Sequence, residues 1–177
     1  MDAPPQMPLE TAQIECAIGA AIHYEVPANV LLAVAEQERG RVNTWIKNSN
    51  GSHDVGVMQF NTTYLNQLGR YGIRPEHVAS EGCYPFLLAA WRIKGHLVND
   101  TGGFWTRIAN YHSRTPYYNQ RYATSVAPRA NRWATWLEAR YPTRMVNPKD
   151  ATQRAQAKSQ TSMSPSPPQE THKNAPR

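Results

Sequence analysis

"PANVLLAVAEQERG", residues 27–40, constrains the fold more than any other stretch of the chain. Pro27 suits the first turn of a helix, a small and apolar run follows, and Gly40 stops it. Val30, Leu31, Val34 and Ala35 define a buried side at helical spacing. Glu38 follows Val34 at +4 and Leu31 at +7, so it continues that side at the last turn. Glu36 lies about 200° around the helix from Glu38 and is expected on the polar side, as solvated surface. A carboxylate that extends an apolar stripe is partly desolvated, which raises its pKa and makes it a usable general acid. The same spacing also fits an acid that frays into solvent at a helix end.

The rest of the chain reads as further helices. "LETAQIECAIGAAIHYEV" sets Ile14, Ala17, Ile18, Ala21 and Ile22 at helical spacing. After Gly40 comes a polar segment with an Asn50-Gly51 turn signal, and "DVGVMQF" beyond it is the one credible β element. Asn61-Thr62-Thr63 looks like a cap for "YLNQLGRYG". "YPFLLAAWRIKGHLVND", the most apolar helix, is expected to cross the core, and "GGFWTRIANYH" is amphipathic. "TPYYNQRYATSV" and "PRANRWATWLEARY" read as two helices or as one broken at Pro128. The expected fold is mainly α, a helical bundle with a small β-hairpin. Its domain spans residues 9–142, after a flexible lead at 1–8. Residues 143–177, without aromatics and rich in Ser, Pro, Gln and Lys, are expected to be a disordered basic tail.

Charge narrows the partners. Of the net +6, residues 1–142 carry only +2, which gives little support to nucleic-acid binding. A mildly basic surface with a basic tail suits an anionic wall polymer or a membrane surface. No run is long and apolar enough to span a membrane, and the polar, Pro-rich "MDAPPQMPLE" fits the start of a mature chain whose signal has been removed. Cys16 and Cys83, 67 positions apart, match neither a zinc site nor a redox motif. Buried free thiols and a disulfide both remain open on the residues alone.

Three clusters carry chemistry: Glu38 at its helix end, Gln59 in "GVMQF", and the tyrosines of "ANYHSRTPYYNQRY". Gln59 offers donors and an acceptor of the kind an acetamido or hydroxyl group needs. Tyr111, Tyr117, Tyr118 and Tyr122 suit sugar rings, although aromatics at helical spacing also build cores. No metalloprotease, serine-hydrolase or nucleotide-binding motif is present, so no metal or cofactor is implied.

In order and spacing, Glu38-Arg39-Gly40, Gly56-Val57-Met58-Gln59 and Asn110-Tyr111-His112 resemble a three-part signature. It is that of the soluble-lytic-transglycosylase (lysozyme-like) superfamily: Glu-Ser-Gly, Gly-Leu-Met-Gln and Ala-Tyr-Asn. "LGRYGIRPEHVASEGC" and "YHSRTPYYNQRYATSV" are similar to its specialised members, which serve type IV secretion, conjugation, pilus and type III secretion machines. The resemblance covers roughly residues 12–135. It implies a lysozyme-like fold, Glu38 as the single catalytic acid, and Gln59 with Tyr111, Met58, Asn61, His112 and Tyr122 at the substrate. It places Tyr111 near the acid, pairs Cys16 with Cys83 in a disulfide, and locates the chain in the periplasm.

Arg39 stands where the family has Ser, and His112 where it has Asn. Tyr118 occupies the place of a second acid found in larger relatives. The implied activity cleaves the β-1,4 bond between N-acetylmuramic acid and N-acetylglucosamine in peptidoglycan strands. Secretion or conjugation subunits are implied as partners, through the tail. Two rivals are hydrolysis, with Asp54 as second carboxylate across the cleft, and a non-enzymatic wall-binding assembly factor.

Overall fold

The structure, a computed structural model, describes residues 8–141. Its central element is α2 (Ala28–Glu38), in which Val30 through Ala35 are all buried. A helix apolar on every side must be covered on every side. Helix α1 (Thr11–Tyr24), α5 (Tyr84–Asn99) and α7 (Pro116–Arg140) pack against it. Between α2 and α5 the chain makes three short strands, β1 (Trp45–Lys47), β2 (His53–Val55) and β3 (Phe60–Asn61), then α3 (Thr62–Leu68), a 3₁₀ turn at Gly69–Tyr71 and α4 (Pro75–Ala79). Helix α6 (Phe104–Ala109) precedes α7. The strands form an antiparallel sheet in the order β1-β2-β3, with Ile46 opposite Asp54 and Asp54 opposite Asn61. The mainly α expectation with a small antiparallel β element holds.

Four local expectations change. "GVMQ", read as strand-like, is the turn between β2 and β3, with Gly56 and Gln59 at φ of 70° and 49°. The sheet gains β1, which composition did not mark as a strand because its three residues are exposed. Helix α7 runs unbroken through Pro128. Pro128 forfeits one backbone bond, but Val126, Ala130 and Trp133 on either side of it are buried, and that packing offsets a cost of about 3 kcal/mol. Ile22, expected on the buried stripe of α1, is 74% exposed; the face that α1 turns to the core is centred on Ile14, Ala17, Ala20 and Ala21, with Ile18 at its margin.

Glu36 is the largest departure. Expected as solvated surface, it accepts hydrogen bonds from Trp133 Nε1 at 2.8 Å and Arg132 at 2.9 Å, and Arg129 Nε lies 3.4 Å away. With α2 enclosed, no polar side exists for it to occupy, so it becomes a clamp on α7. The tail expected at 143–177 lies outside the described residues, as do residues 1–7 of the expected lead.

Cys16 of α1 is bonded to Cys83, the residue just before α5. Closing a loop of this span constrains the unfolded chain by about 4 kcal/mol in the chain-entropy view, with about 2–4 kcal/mol typically realised. The double substitution Cys16→Ser, Cys83→Ser is therefore expected to lower the unfolding free energy by that amount, and with it the denaturant midpoint. An unchanged midpoint would show that the bond contributes no stability.

Candidate active site

The C-terminal end of α2 carries the site. Arg39, in the left-handed region at φ 52°, ends the helix by donating its N–H to Ala35. Gly40, expected as the helix stop, has a different task. A Cβ there would meet the carbonyls of Gly56 and Val57 and the Gln59 side chain, so its lack of one lets the β2–β3 turn lie against the helix end. Gly56 is equally constrained, because a Cβ would strike the Val78 carbonyl. Tyr111 holds the same turn from another side, its hydroxyl donating to the Met58 carbonyl at 2.9 Å. The Glu-x-Gly and Gly-x-x-Gln segments are thus joined by one close contact between backbones.

Glu38 lines a cavity of about 560 Å³ with Gln37, His112, Tyr118, Arg121, Tyr122 and Ser125. Burial pushes its pKa from the ordinary 4.5 up to about 7. Tyr122 donates to Glu38 Oε1 at 2.5 Å and, with the Arg92 cation, pulls the value down, whereas the Asp54 charge adds to the rise. Tyr122 is itself buried, which raises its own pKa and keeps its hydroxyl a donor. His112 stacks on Tyr122 with centroids 4.9 Å apart, and its pKa is lowered by burial, so it is neutral at pH 7. The result is one acid at the edge of a cavity that holds its proton up to about pH 7, steadied by a buried phenol.

The other expected residues fall into two groups. Met58 is fully buried and reaches the site only through its carbonyl, and Tyr111, also buried, bonds that carbonyl while Tyr122 holds the acid. Gln59 closes its own turn, donating to the Gly56 carbonyl at 2.8 Å. Asn61 caps α3 through Thr63 and donates to Asp54 Oδ1 at 2.9 Å, which ties the second carboxylate to the sheet. These four build the site's frame, and Glu38, His112 and Tyr122 meet at the cavity.

Two features had not been anticipated. Asp100 accepts from Asn110, His96 and Arg114; burial would raise its pKa, but these bonds hold it down at about 2. This network, with Asn119 donating to Asn110 and the Ser113 carbonyl, fixes the loop that carries Tyr111 and His112. Arg92, on α5, places its guanidinium over the Tyr64 and Tyr111 rings. The run "LLAAWRIKG" carries two cations, and Arg92, the one next to Trp91, was the signal available for it. A second cavity of about 760 Å³ lies beyond Arg39 and Gly40 and is lined also by Glu10, Gln13 and Arg41.

No protein-family model matches the chain. It is 28% identical over 129 residues to X polypeptide of Escherichia coli, covering 71% of this chain and 75% of the relative. Protein IpgF of Shigella sonnei is 30% identical over 105 residues, 57% of this chain and 66% of that protein. Invasion protein IagB of Salmonella typhimurium strain SL1344 is 26% identical over 108 residues, 60% of this chain and 67% of its own length. These likenesses point to a related family that includes IpgF and IagB. No helix among the described residues is long and apolar enough to cross a membrane.

The raised pKa of Glu38 has a thermodynamic consequence. Folding takes up a proton between the unfolded value near 4.5 and the folded value near 7. Stability from this group is therefore complete below the lower value and is lost as pH rises through the upper one. The loss is on the order of 3 kcal/mol. Glu38→Gln is expected to remove it, so the variant gains on the wild type between pH 5 and pH 8 in chemical denaturation. Parallel pH–stability curves would show that Glu38 is ionised throughout.

Proposed function

We propose that the chain is a peptidoglycan lytic transglycosylase. It cleaves the β-1,4 bond between N-acetylmuramic acid and N-acetylglucosamine and leaves a 1,6-anhydro-muramoyl end. The observation that carries this reading is Glu38, protonated near neutral pH and held by Tyr122 at a cavity edge. Glu38 gives its proton to the glycosidic oxygen as the C1–O bond breaks, and the N-acetylglucosamine leaves with a free 4-hydroxyl. The substrate's own acetamido group supports the oxocarbenium-like state. Glu38, now a carboxylate, accepts the C6 hydroxyl proton while that oxygen bonds C1, which restores the acid. Tyr122 donates to the carboxylate and so favours the ionised stage, whereas burial favours the protonated one. The balance puts the pKa where one group can serve in both directions.

The Cys16–Cys83 bond supports an oxidising compartment, hence the periplasm. Likeness to an invasion protein supports local wall opening for a secretion, conjugation or pilus apparatus. Hydrolysis with Asp54 as base has one observation in its favour, the Asp54 charge felt at Glu38. Against it, Asp54 is already bonded to Asn61. A non-catalytic wall-binding factor would leave the shifted acid without a task.

Digestion of purified sacculi with mass spectrometry of the products tests the reading. Muramoyl ends lighter by one water are expected from the wild type, with a loss of at least about a hundredfold for Glu38→Gln. Ordinary reducing ends would establish hydrolysis instead, and undiminished lysis by Glu38→Gln would remove the acid from the mechanism. The rate is also expected to fall above about pH 7 as Glu38 ionises. Tyr122→Phe, which deletes the bond that lowers this pKa, is expected to move that limb to higher pH.

A further inference from the structure

Arg92 is a cation whose close companions among the described residues are two aromatic rings. Its guanidinium carbon lies 4.1 Å from the Tyr64 ring centroid and 4.7 Å from that of Tyr111. Two aromatic faces orient it. Among the described residues it makes neither a hydrogen bond nor an ion pair, and its Nε is buried without a partner. A guanidinium has five N–H donors in a rigid fork, matched to a carboxylate. The buried Nε–H, left without an acceptor, is unfavourable unless an incoming group takes it.

The surroundings define what that is. Arg92 lines a cavity of about 570 Å³ with Tyr64, Gln67, Asn110, His112 and Arg114. The one acid on its wall, Asp100, is already engaged by His96, Asn110 and Arg114. His96 and His112 both have lowered pKa values and stay neutral at pH 7, so the cavity carries a net positive charge. His112 also lines the cavity of Glu38, so the two spaces share a wall. A negative group on the substrate would therefore sit beside the bond being broken.

We propose that Arg92 is a specificity residue that binds a carboxylate carried by the muramoyl sugar, and so sets which of the two alternating sugars lies next to Glu38. This rests on the glycan reading above. N-acetylglucosamine has no carboxylate, whereas the muramoyl residue carries one on its lactyl arm or, where that arm is amidated, on its peptide stem. Register along the strand then follows from charge, because only one sugar in two can satisfy the guanidinium.

The test titrates the wild-type protein with N-acetylmuramic acid, muramoyl dipeptide and N-acetylglucosamine while following the Arg92 ¹⁵Nε signal by NMR. At least one acidic ligand is expected to bind ten times or more tightly than N-acetylglucosamine and to shift that signal. Preference for the free acid assigns the lactyl carboxylate to Arg92, and preference for the dipeptide assigns the stem. Arg92→Gln is expected to lose the margin and Arg92→Lys to keep part of it. If Arg92→Gln does not fold, the wild-type signal decides. Equal affinities for all three ligands, or an unmoved Nε signal at saturation, would overturn the proposal. Sacculus digestion in parallel separates the two claims. Anhydro products with equal affinities would sink only the Arg92 inference, whereas carboxylate selection without wall cleavage would sink only the transglycosylase reading.

Discussion

Enclosure of α2 is the constraint on which the site depends. Val30 through Ala35 are apolar around the whole helix, so neighbours must cover every side of it. The acids that end the helix then have no open solvent to enter, and each is met by α7. Glu36 finds Arg132 and Trp133, Gln37 accepts from Ser125, and Glu38 accepts from Tyr122. Glu36 is met by two guanidinium groups, whereas Glu38, buried beside a single phenol at a cavity edge, is pushed toward its protonated form. Two acids two residues apart thus acquire different surroundings through what α7 offers them.

A second constraint is steric. The helix end and the β2–β3 turn approach until Gly40 and Gly56 cannot carry a side chain. Tyr111 and Gln59 hold the turn in that position through the Met58 and Gly56 carbonyls. Of the three segments singled out in the sequence, two therefore frame the third. Their spacing reflects how two backbones and a tyrosine meet, and Glu38 is what they enclose.

Much of the fold was legible because apolar residues at helical spacing, Pro starts and Gly stops report directly on burial. The stripe from Leu31 through Val34 to Glu38 also pointed to a desolvated acid. What was not legible depended on partners far away in sequence. Glu36 looked solvated because helix geometry says where a side chain points and not what covers it; Trp133 lies 97 residues on. "GVMQ" has the composition of a strand but the backbone of a turn, since tertiary contact with Gly40 decided its shape. Pro128 looked like a break because the packing of Val126 and Ala130 is not visible in a propensity. Arg92 was hidden because, two residues before Lys94, it reads as part of the exposed edge of a helix until the two tyrosines beneath it are seen.

The account turns on Glu38 being a neutral acid near pH 7, and its side-chain carboxyl carbon can be titrated directly. With ¹³C-labelled glutamate and Glu38→Gln to assign the resonance, NMR is expected to give a midpoint near 7, higher again in Tyr122→Phe. A midpoint near the ordinary 4.5 would mean that the carboxyl is solvated and ionised, and the proton-donating role assigned to it would be contradicted.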